Sequence, residues 1–352
     1  MANIVIDPVI IMTLPDDASR AEVEVWIENL TLWLNEALTA PFTWLYDRQA
    51  SELLEANGQF PNFTYLKRLL QKYHLDINIS QIARKVNTFF RDDTLDLQDH
   101  LKRLTYAIEV EAGSITIKPE LFVTRLPEYI HDGFHLLLAE CCACRYIKHP
   151  FGQGLHIATL AFANGSKEIA VSVVLLEALP DFARPADNTI VQALPLIITP
   201  DDLQPLAEDV LDLWAKGEHA IIYAINQHSK KEWSGTLGGP FAFRLGPRFV
   251  ASVNERGLNT NEIILQSIIR AASNVIANRA KDIPGYRLHA FRKSETADSP
   301  QLIRESDHAR AWRLMLQKHG AGWRLHYWHI ATPEGSVIEF ANICKESERE
   351  ID

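Results

Sequence analysis

The segment that most constrains the fold lies near the C-terminal end of the 352-residue chain. In Trp323–Ala331 polar and apolar side chains alternate over the first five residues, and Val337–Cys344 is rich in apolar residues, which together favour two strands with a buried face. Between them, Thr332-Pro-Glu-Gly335 has proline and glycine at positions that suit a tight turn. The sequence therefore predicts an antiparallel hairpin in this segment.

The length of the turn also predicts the register of the hairpin, because a short loop pairs the residues that flank it. The expected pairs are Ala331 with Ser336, Trp328 with Glu339 and His326 with Ala341. Successive side chains of a strand point to opposite faces. The expected polar face carries Arg324, His326, Trp328 and Glu339, and the apolar face carries Leu325, Tyr327, Ile338 and Phe340.

A further strand is predicted ahead of the hairpin at residues 286–292, with Arg287 and His289 on its polar side. Between this strand and the hairpin, a helix is predicted from about residue 306 to 318, with a capping residue at its start. Residues 286–345 are therefore expected to form a small β-α-β-β module.

The polar residues of this module are suited to binding and cleaving RNA. Arginine neutralises phosphate and stabilises developing negative charge, histidine transfers protons near neutral pH, and tryptophan can stack on a base. The predicted catalytic residues are His326, Arg324, Glu339 and His289, with Glu339 as the carboxylate partner of a histidine in proton transfer. The predicted nucleic-acid-binding residues are Arg287, Arg310, Arg313 and Trp328, with Arg310 and Arg313 on one face of the predicted helix.

The same residues also fit a solvated sheet surface that has no function, since exposed strands often carry Arg, His and Glu in cross-strand pairs. The glycine-rich stretch Gly235–Gly239 lacks the Gly-Lys-Ser/Thr ending of a phosphate-binding loop. Whether the protein is an enzyme is therefore left open by the sequence.

Two strings in the module resemble a motif of short, uncharacterised bacterial proteins about as long as the module itself. They are Asp307-His-Ala-Arg-Ala-Trp-Arg313 and Lys318-His-Gly-Ala-Gly-Trp-Arg-Leu-His-Tyr-Trp328. The resemblance covers residues 286–345 and implies a module that can stand alone, without implying any chemistry. The β-α-β-β outline is also similar to small bacterial ribonuclease toxins, at the level of fold only.

The rest of the chain changes character along its length, and an α+β protein with three domains is expected. Residues 1–150 are predicted to be mostly helical after an N-terminal strand, and residues 151–285 to form a mixed α/β domain. The module at 286–345 follows. Residues 346–352 are charged and short of apolar anchors, which predicts a flexible tail.

Three segments give the sharpest expectations about single elements in these two regions. Residues 20–39 repeat apolar side chains at helical spacing after a capping box, which predicts a helix. Residues 220–226 and 249–254 are short and apolar, and strands are predicted there.

Charge is distributed unevenly in this acidic chain. The formal net charge is -10, which argues against non-specific coating of nucleic acid or membrane. Arg270–Arg324, however, contains eleven Lys and Arg against five Asp and Glu, a local charge of +6. Any contact with nucleic acid is therefore expected from that segment.

Three features of the sequence favour a cytoplasmic protein: the pattern at the N-terminus, the length of the apolar stretches and the placement of the cysteines. The N-terminus has no basic region followed by a long apolar run, and no apolar stretch approaches the length of a membrane helix. Three of the four cysteines are bunched at Cys141, Cys142 and Cys144, unlike a disulfide framework. We therefore expect no membrane partner.

No cofactor is expected, with zinc as a minor alternative. His131 and His135 are four residues apart on a predicted helix, and Cys142 follows on the same helical face, so the three could hold one metal ion. The spacing does not match a common zinc motif, and buried cysteines are frequent in cores.

The leading hypothesis is a bacterial accessory or effector protein that acts on nucleic acid, with RNA as the preferred substrate, in a defence- or toxin-like role. The basic module would make the contact, and the acidic remainder would bind partners or regulate. The alternative is a non-enzymatic subunit of a larger assembly, with a protein partner or a second copy of the chain.

Overall fold

The structure is a computed structural model that describes residues 2–90, 94–104, 108–119, 126–160, 165–178, 185–233, 240–282, 287–294, 296, 298–316, 322–348, 350 and 351. The chain forms two compact units, Met1–Leu203 (unit 1) and Gln204–Asp352 (unit 2). Each unit combines helices with a sheet of its own, so the chain is an α+β protein, as the sequence predicts.

Unit 1 is built around a mixed sheet. Its strands are β1 (Asn3–Ile6), β2 (Thr43–Tyr46), β3 (Leu95–Asp96), β4 (Ile108–Val110), β5 (Thr116–Lys118), β6 (Leu155–Ala158), β7 (Glu168–Ala178) and β8 (Thr189–Ile197). Its helices are α1 (Pro8–Ile11), α2 (Arg20–Thr39), α3 (Arg48–Ala56), α4 (Phe63–Tyr73), α5 (Ile79–Thr88), α6 (Leu97–Leu104), α7 (Glu128–Tyr146) and α8 (Pro150–Gln153). The strand order is β3-β2-β1-β6-β8-β7-β4, with β5 also paired to β7. Five neighbouring strands, β3, β2, β1, β6 and β8, are parallel to one another, and β7 runs antiparallel to β8.

The helix predicted over residues 20–39 is confirmed as α2. Ser19 and Glu22 form a capping box, in which each side chain accepts a hydrogen bond from the backbone N–H of the other residue. The buried side chains recur three and four residues apart from Val23 to Ala37. Local capping and helical periodicity agree at this segment, which is why sequence reasoning succeeds there.

Among the described residues, unit 2 contains four α-helices and a five-stranded sheet. The helices are α9 (Val210–Ala215), α10 (Glu218–Trp233), α11 (Phe249–Glu255) and α12 (Glu262–Ile276). The strands are β9 (Ala242–Leu245), β10 (Leu288–Ala290), β11 (Arg310–Met315), β12 (Arg324–Thr332) and β13 (Gly335–Cys344). Their order is β10-β11-β12-β13-β9, with β9 parallel to β13 and the other pairs antiparallel.

Two predicted strands of unit 2 are wrong, because residues 220–226 lie in α10 and residues 249–254 lie in α11. In the first segment Ala220, Ile221, Tyr223, Ala224 and Ile225 are all buried. A helix buried on most of its circumference and a buried strand give the same short apolar run, so periodicity does not separate them.

The predicted helix at residues 306–318 is also wrong, since β11 occupies Arg310–Met315. The module is therefore not β-α-β-β over its described part. Ala309, Trp312 and Leu316 have helical spacing, yet Ala311 and Leu314 are buried as well. Pairing of β11 with a strand on each side outweighs this spacing. Residues 317–321 lie outside the described residues, as does Gly235–Gly239.

The predicted hairpin is confirmed as β12 and β13, and its register is confirmed near the turn. Ala331 pairs with Ser336 and Trp328 pairs with Glu339. His326 pairs with Asn342 rather than Ala341, because the register shifts between His326 and Tyr327. A bulge inserts one residue in a strand, and alternation alone does not reveal it.

Strand pairing joins segments on both sides of the predicted domain limits near residues 150 and 285. In unit 1, β6 pairs with β1, and in unit 2, β9 pairs with β13. The tail predicted to be flexible packs against unit 2, where Glu348 forms an ion pair with Arg256 at 2.7 Å. Across the described ranges, none of the helices combines the length and apolar character that spanning a bilayer requires.

Candidate functional site

The polar residues predicted from the sequence do share one face of the unit 2 sheet. We call this side the Arg/His face, and it carries Arg287, His289, Arg313, Arg324, His326, Trp328 and Glu339. His289 lies opposite Arg313, Arg313 lies opposite His326, and Trp328 lies opposite Glu339. Side chains directly opposite in antiparallel strands point to the same side. Strand β11 contributes Arg313 between the two predicted halves of the site.

Much of the Arg/His face is covered by other segments of unit 2. Trp328 packs in an apolar cluster with Phe291 and Ala309 from the connection between β10 and β11. Ile351 of the tail packs against the same cluster. As a result Trp328, His326 and Glu339 are all buried. The expectation of a solvated face fails at these three residues.

Glu339 is the buried centre of an ion-pair network. Arg304 Nη1 donates to its Oε1 at 2.5 Å, and Arg244 Nε donates to its Oε2 at 2.6 Å. Arg304 is also held by Asp307 and lies 4.9 Å from the Trp328 ring centroid. Burial alone would raise the pKa of Glu339, but the hydrogen bonds from the two arginines outweigh it and hold the pKa below its ordinary value.

This network differs from the arrangement predicted from the sequence. Glu339 is paired with arginines, and the predicted pairing with a catalytic histidine is absent among its described contacts. Sequence reasoning missed both Arg304 and Arg244, because they come from segments outside the hairpin. The cross-strand pairing of β9 with β13, which places Arg244 opposite Glu339, has no local signal in the sequence.

His326 lies at the covered part of the face. Its Nδ1 lies 2.9 Å from the backbone carbonyl oxygen of Glu350 in the tail, and its ring contacts Phe291 edge to face. Burial lowers the pKa of His326 to about 4, and the charges of Arg313 and Arg324 act in the same direction. The imidazole is therefore neutral at pH 7, and its side chain is not accessible to a substrate from solvent.

The other end of the face holds Arg287, Arg313 and Arg324 around His289, and we call these four residues the cationic group. Arg287 and His289 are exposed, whereas the side chain of Arg324 is 12% exposed. Burial lowers the pKa of His289, and the charges of Arg313, Arg287 and Arg324 lower it further. Arg324 forms an ion pair with Glu346 of the tail at 2.7 Å. The guanidinium of Arg313 has no hydrogen-bond or ion-pair partner within the described part of the chain.

The structure separates Arg310 from this group. Arg310 and Arg313 were expected on one face of a helix, but both lie on β11, three positions apart, so their side chains point to opposite sides of the sheet. Arg310 lies opposite His329 on the face that carries Tyr327. Of the predicted binding residues, Arg287 and Arg313 therefore come together, while Arg310 and Trp328 do not join them.

The proposed zinc ligands do not converge. The rings of His131 and His135 lie 4.3 Å apart by their centroids, but the thiol of Cys142 donates to the carbonyl oxygen of Val171 at 3.3 Å. Burial raises the pKa of Cys142 to about 12, which opposes the thiolate form that binds zinc. The described ranges contain no group of three or more His, Cys, Asp or Glu side chains placed to hold a metal ion.

Unit 1 carries a second polar group at the carboxyl ends of its parallel strands, where ligands often bind in open α/β sheets. Asp7, Asp47 and Asp96 come directly after or at the ends of β1, β2 and β3. Each accepts a backbone hydrogen bond from the helix that follows, and Asp7 also accepts a hydrogen bond from the side-chain hydroxyl of Thr159. These carboxylates therefore serve to connect strands with helices.

No protein-family model, curated protein or solved structure matches this chain. The architecture therefore defines the class of protein: an α+β chain whose second unit exposes a cationic group at the end of a five-stranded sheet. The resemblance of residues 286–345 to short bacterial proteins stays a prediction.

Proposed function

We propose that this protein binds nucleic acid through the cationic group of unit 2. The observation that carries the proposal is the convergence of three arginines on His289: Arg313 of β11, Arg324 of β12, and Arg287 directly before β10. Like charges that gather without a full set of acidic partners favour an anion in their midst. Arginine suits phosphate in particular, because its planar fork can donate two hydrogen bonds to one phosphate group.

The distribution of charge along the chain supports a localised contact. The formal net charge is -10, yet Arg270–Arg324 has a local charge of +6. An acidic protein binds nucleic acid only where a basic patch exceeds the general repulsion. The cationic group contributes three arginines to that segment, Arg287, Arg313 and Arg324, and Arg313 has no described acidic partner, so the group offers such a patch.

Binding is the part of the sequence hypothesis that the geometry favours, and cleavage is less well supported. His326 and Glu339, proposed as a proton-transfer pair, are buried and hold contacts with the tail and with arginines. His289 is the exposed histidine of the cationic group, and burial and the three neighbouring arginines lower its pKa, which disfavours the protonated form that a general acid needs. We propose an accessory or effector role, with RNA preferred and defence as the setting.

Substitution of Arg313 by glutamine is expected to weaken binding of single-stranded RNA about tenfold at low salt. Loss of one phosphate contact should also reduce the slope of log K against log salt concentration by about 1. Fluorescence anisotropy with labelled RNA and DNA of about 20 nucleotides, between roughly 50 and 200 mM salt, measures both quantities.

Arg310→Gln is the matched control, because it removes the same charge from the opposite face of the same strand. It should leave the affinity within about twofold of wild type. If the two variants weaken binding equally, the effect reflects net charge rather than this site. If wild-type protein binds neither RNA nor DNA at low salt, the proposed function is wrong.

A second candidate function is binding of a second copy of this chain, and two exposed apolar side chains on α2 favour it. Val25 and Leu32, seven residues apart and so on one helical face, are 56% and 46% exposed. Leu32 also lines a groove of about 400 Å³ between α2 and α5, together with Ile77. Exposed apolar side chains beside a groove are typical of a protein interface.

For this candidate, we expect wild-type protein to elute as a dimer in size-exclusion chromatography with light scattering, and Leu32→Glu to elute as a monomer. Burial of a charge within the interface opposes association. Val191→Glu, at an exposed apolar position on β8, is the control and should stay dimeric. A monomeric wild-type protein would rule this candidate out.

A further inference from the structure

The opposite side of the unit 2 sheet borders a cavity of about 170 Å³. It lies between the sheet and the end of α12. Phe241, Trp312, Tyr327 and His329 form aromatic walls, and Asn278 and Lys281 line it from the segment after α12. None of these residues belongs to the cationic group, so the cavity is independent of the proposed nucleic-acid contact.

Two polar atoms on the walls of this cavity lack hydrogen bonds. Nε1 of Trp312 and Nε2 of His329 are buried and have no partner in the described part of the chain. A buried polar group without a partner is unfavourable, and native structures rarely tolerate it without a reason. Two such atoms therefore leave the walls of one cavity with unused hydrogen-bonding capacity.

The size and walls of the cavity restrict the shape of such a molecule. A cavity of about 150 Å³ in another protein holds benzene, so this one accommodates a single six-membered ring. The rings of Phe241 and His329 lie 5.7 Å apart by their centroids, with an angle of 32° between their planes. Aromatic walls of this kind favour a flat ring over a puckered one.

The charges around the cavity restrict which functional groups a bound molecule can carry. Lys281 lines the cavity, and Arg310 lies opposite His329 in the neighbouring strand. The described lining residues include no acidic side chain. Trp312 Nε1–H is a donor only, so its partner must be an acceptor. A carboxylate is an acceptor and also balances the positive charge.

We infer that this cavity binds a small aromatic carboxylate, with a single planar ring between the aromatic walls and the carboxylate near Trp312 and Lys281. Burial and the charge of Arg310 lower the pKa of His329, which favours hydrogen bonding by a neutral imidazole over ion pairing. This makes Lys281 the main cationic partner of the carboxylate among the lining residues.

Benzoate is the probe for this inference, measured by equilibrium dialysis against the full-length protein. We expect saturable binding of one molecule per chain with a dissociation constant on the order of 0.1–1 mM, as for other fragments of this size. Benzamide keeps the ring and removes the charge, and cyclohexanecarboxylate keeps the charge and removes planarity. Each should bind at least about fivefold more weakly.

Two variants test the residues that carry the inference. Lys281→Gln removes an exposed charge with little risk to folding, and Trp312→Phe removes the indole N–H while keeping an aromatic ring. Both should weaken benzoate binding about five- to tenfold. Lys293→Gln, an exposed lysine that does not line the cavity, is the control and should bind as wild type does.

The inference is overturned if benzoate shows no saturable binding, or if benzamide binds as tightly as benzoate. It is also overturned if Lys281→Gln binds benzoate with unchanged affinity, and this result holds even if Trp312→Phe fails to fold. Because Lys281 lies outside the cationic group, loss of benzoate binding with intact RNA binding separates this site from the proposed function.

Discussion

Replacement of Glu339 by glutamine is expected to lower the free energy of unfolding of the protein by about 2–3 kcal/mol. Glutamine has the size of glutamate, so the packing around it is retained. It removes the negative charge that Arg304 and Arg244 share, and it replaces one acceptor oxygen by an amide group that donates. The loss therefore reflects electrostatics and hydrogen bonding rather than a cavity.

The expected loss lies at the lower end of the range for a broken buried ion pair, for two reasons. Arg304 keeps its contact with Asp307 after the substitution. The side chain of Arg244 is 61% exposed, so water solvates its charge when Glu339 is lost. A fully buried arginine without other partners would cost more.

Urea unfolding followed by tryptophan fluorescence measures this loss, since Trp328 lies beside the network. Glu334→Gln is the matched control, because Glu334 lies in the exposed turn of the same hairpin. We expect it to change stability by no more than about 0.5 kcal/mol. Equal effects of the two substitutions would show that the network contributes nothing beyond a change in net charge.

The second large effect is a loss of stability in acid that depends on His326. We expect the free energy of unfolding to fall by about 2 kcal/mol between pH 7.5 and pH 5 because of this one residue. The effect follows from the difference between its pKa of about 4 in the folded protein and an ordinary value of 6.5.

Stability falls in acid because the unfolded chain binds a proton at His326 at a higher pH than the folded protein does. Above pH 6.5 the imidazole is neutral in both states, and the contribution of His326 to stability is complete. As the pH falls through 6.5, the unfolded chain is protonated while the folded protein resists protonation, so the unfolded state gains stability. The decline ends near pH 4, where the folded imidazole is protonated as well.

His326→Gln tests this effect, because glutamine does not titrate and its amide can still donate to the carbonyl oxygen of Glu350. The measurement is the change in unfolding free energy between the two pH values, compared between variant and wild type. The variant should lose about 2 kcal/mol less. His219→Gln, at an exposed position on α10, should follow wild type. A variant with the wild-type pH dependence would contradict the prediction.

The hairpin shows how far sequence reasoning reached. Alternation and turn length predicted β12 and β13, the pairing of Trp328 with Glu339, and the division of side chains between the two faces. These features depend on residues close together in the chain, whose chemistry is visible locally. The bulge beside His326 depends on the fit of the strand to its neighbours, and the sequence carried no sign of it.

Strand β11 shows where local patterns fail. Ala309, Trp312 and Leu316 fit a helix, and only the presence of β10 and β12 on either side makes the segment a strand. Backbone hydrogen bonds to two partners contribute more than the modest preferences of single residues. The change of element also moved Arg310 away from Arg313, and so altered the candidate site.

By itself, the sequence determined the α+β class, the capped helix α2, the hairpin and the basic character of the segment that carries Arg287 and Arg313. Only the tertiary structure decided which of these side chains are accessible. The residues that shield His326 and Glu339 from solvent belong to the connection after β10 and to the tail. Burial is a property of packing between distant segments, and no local pattern records it.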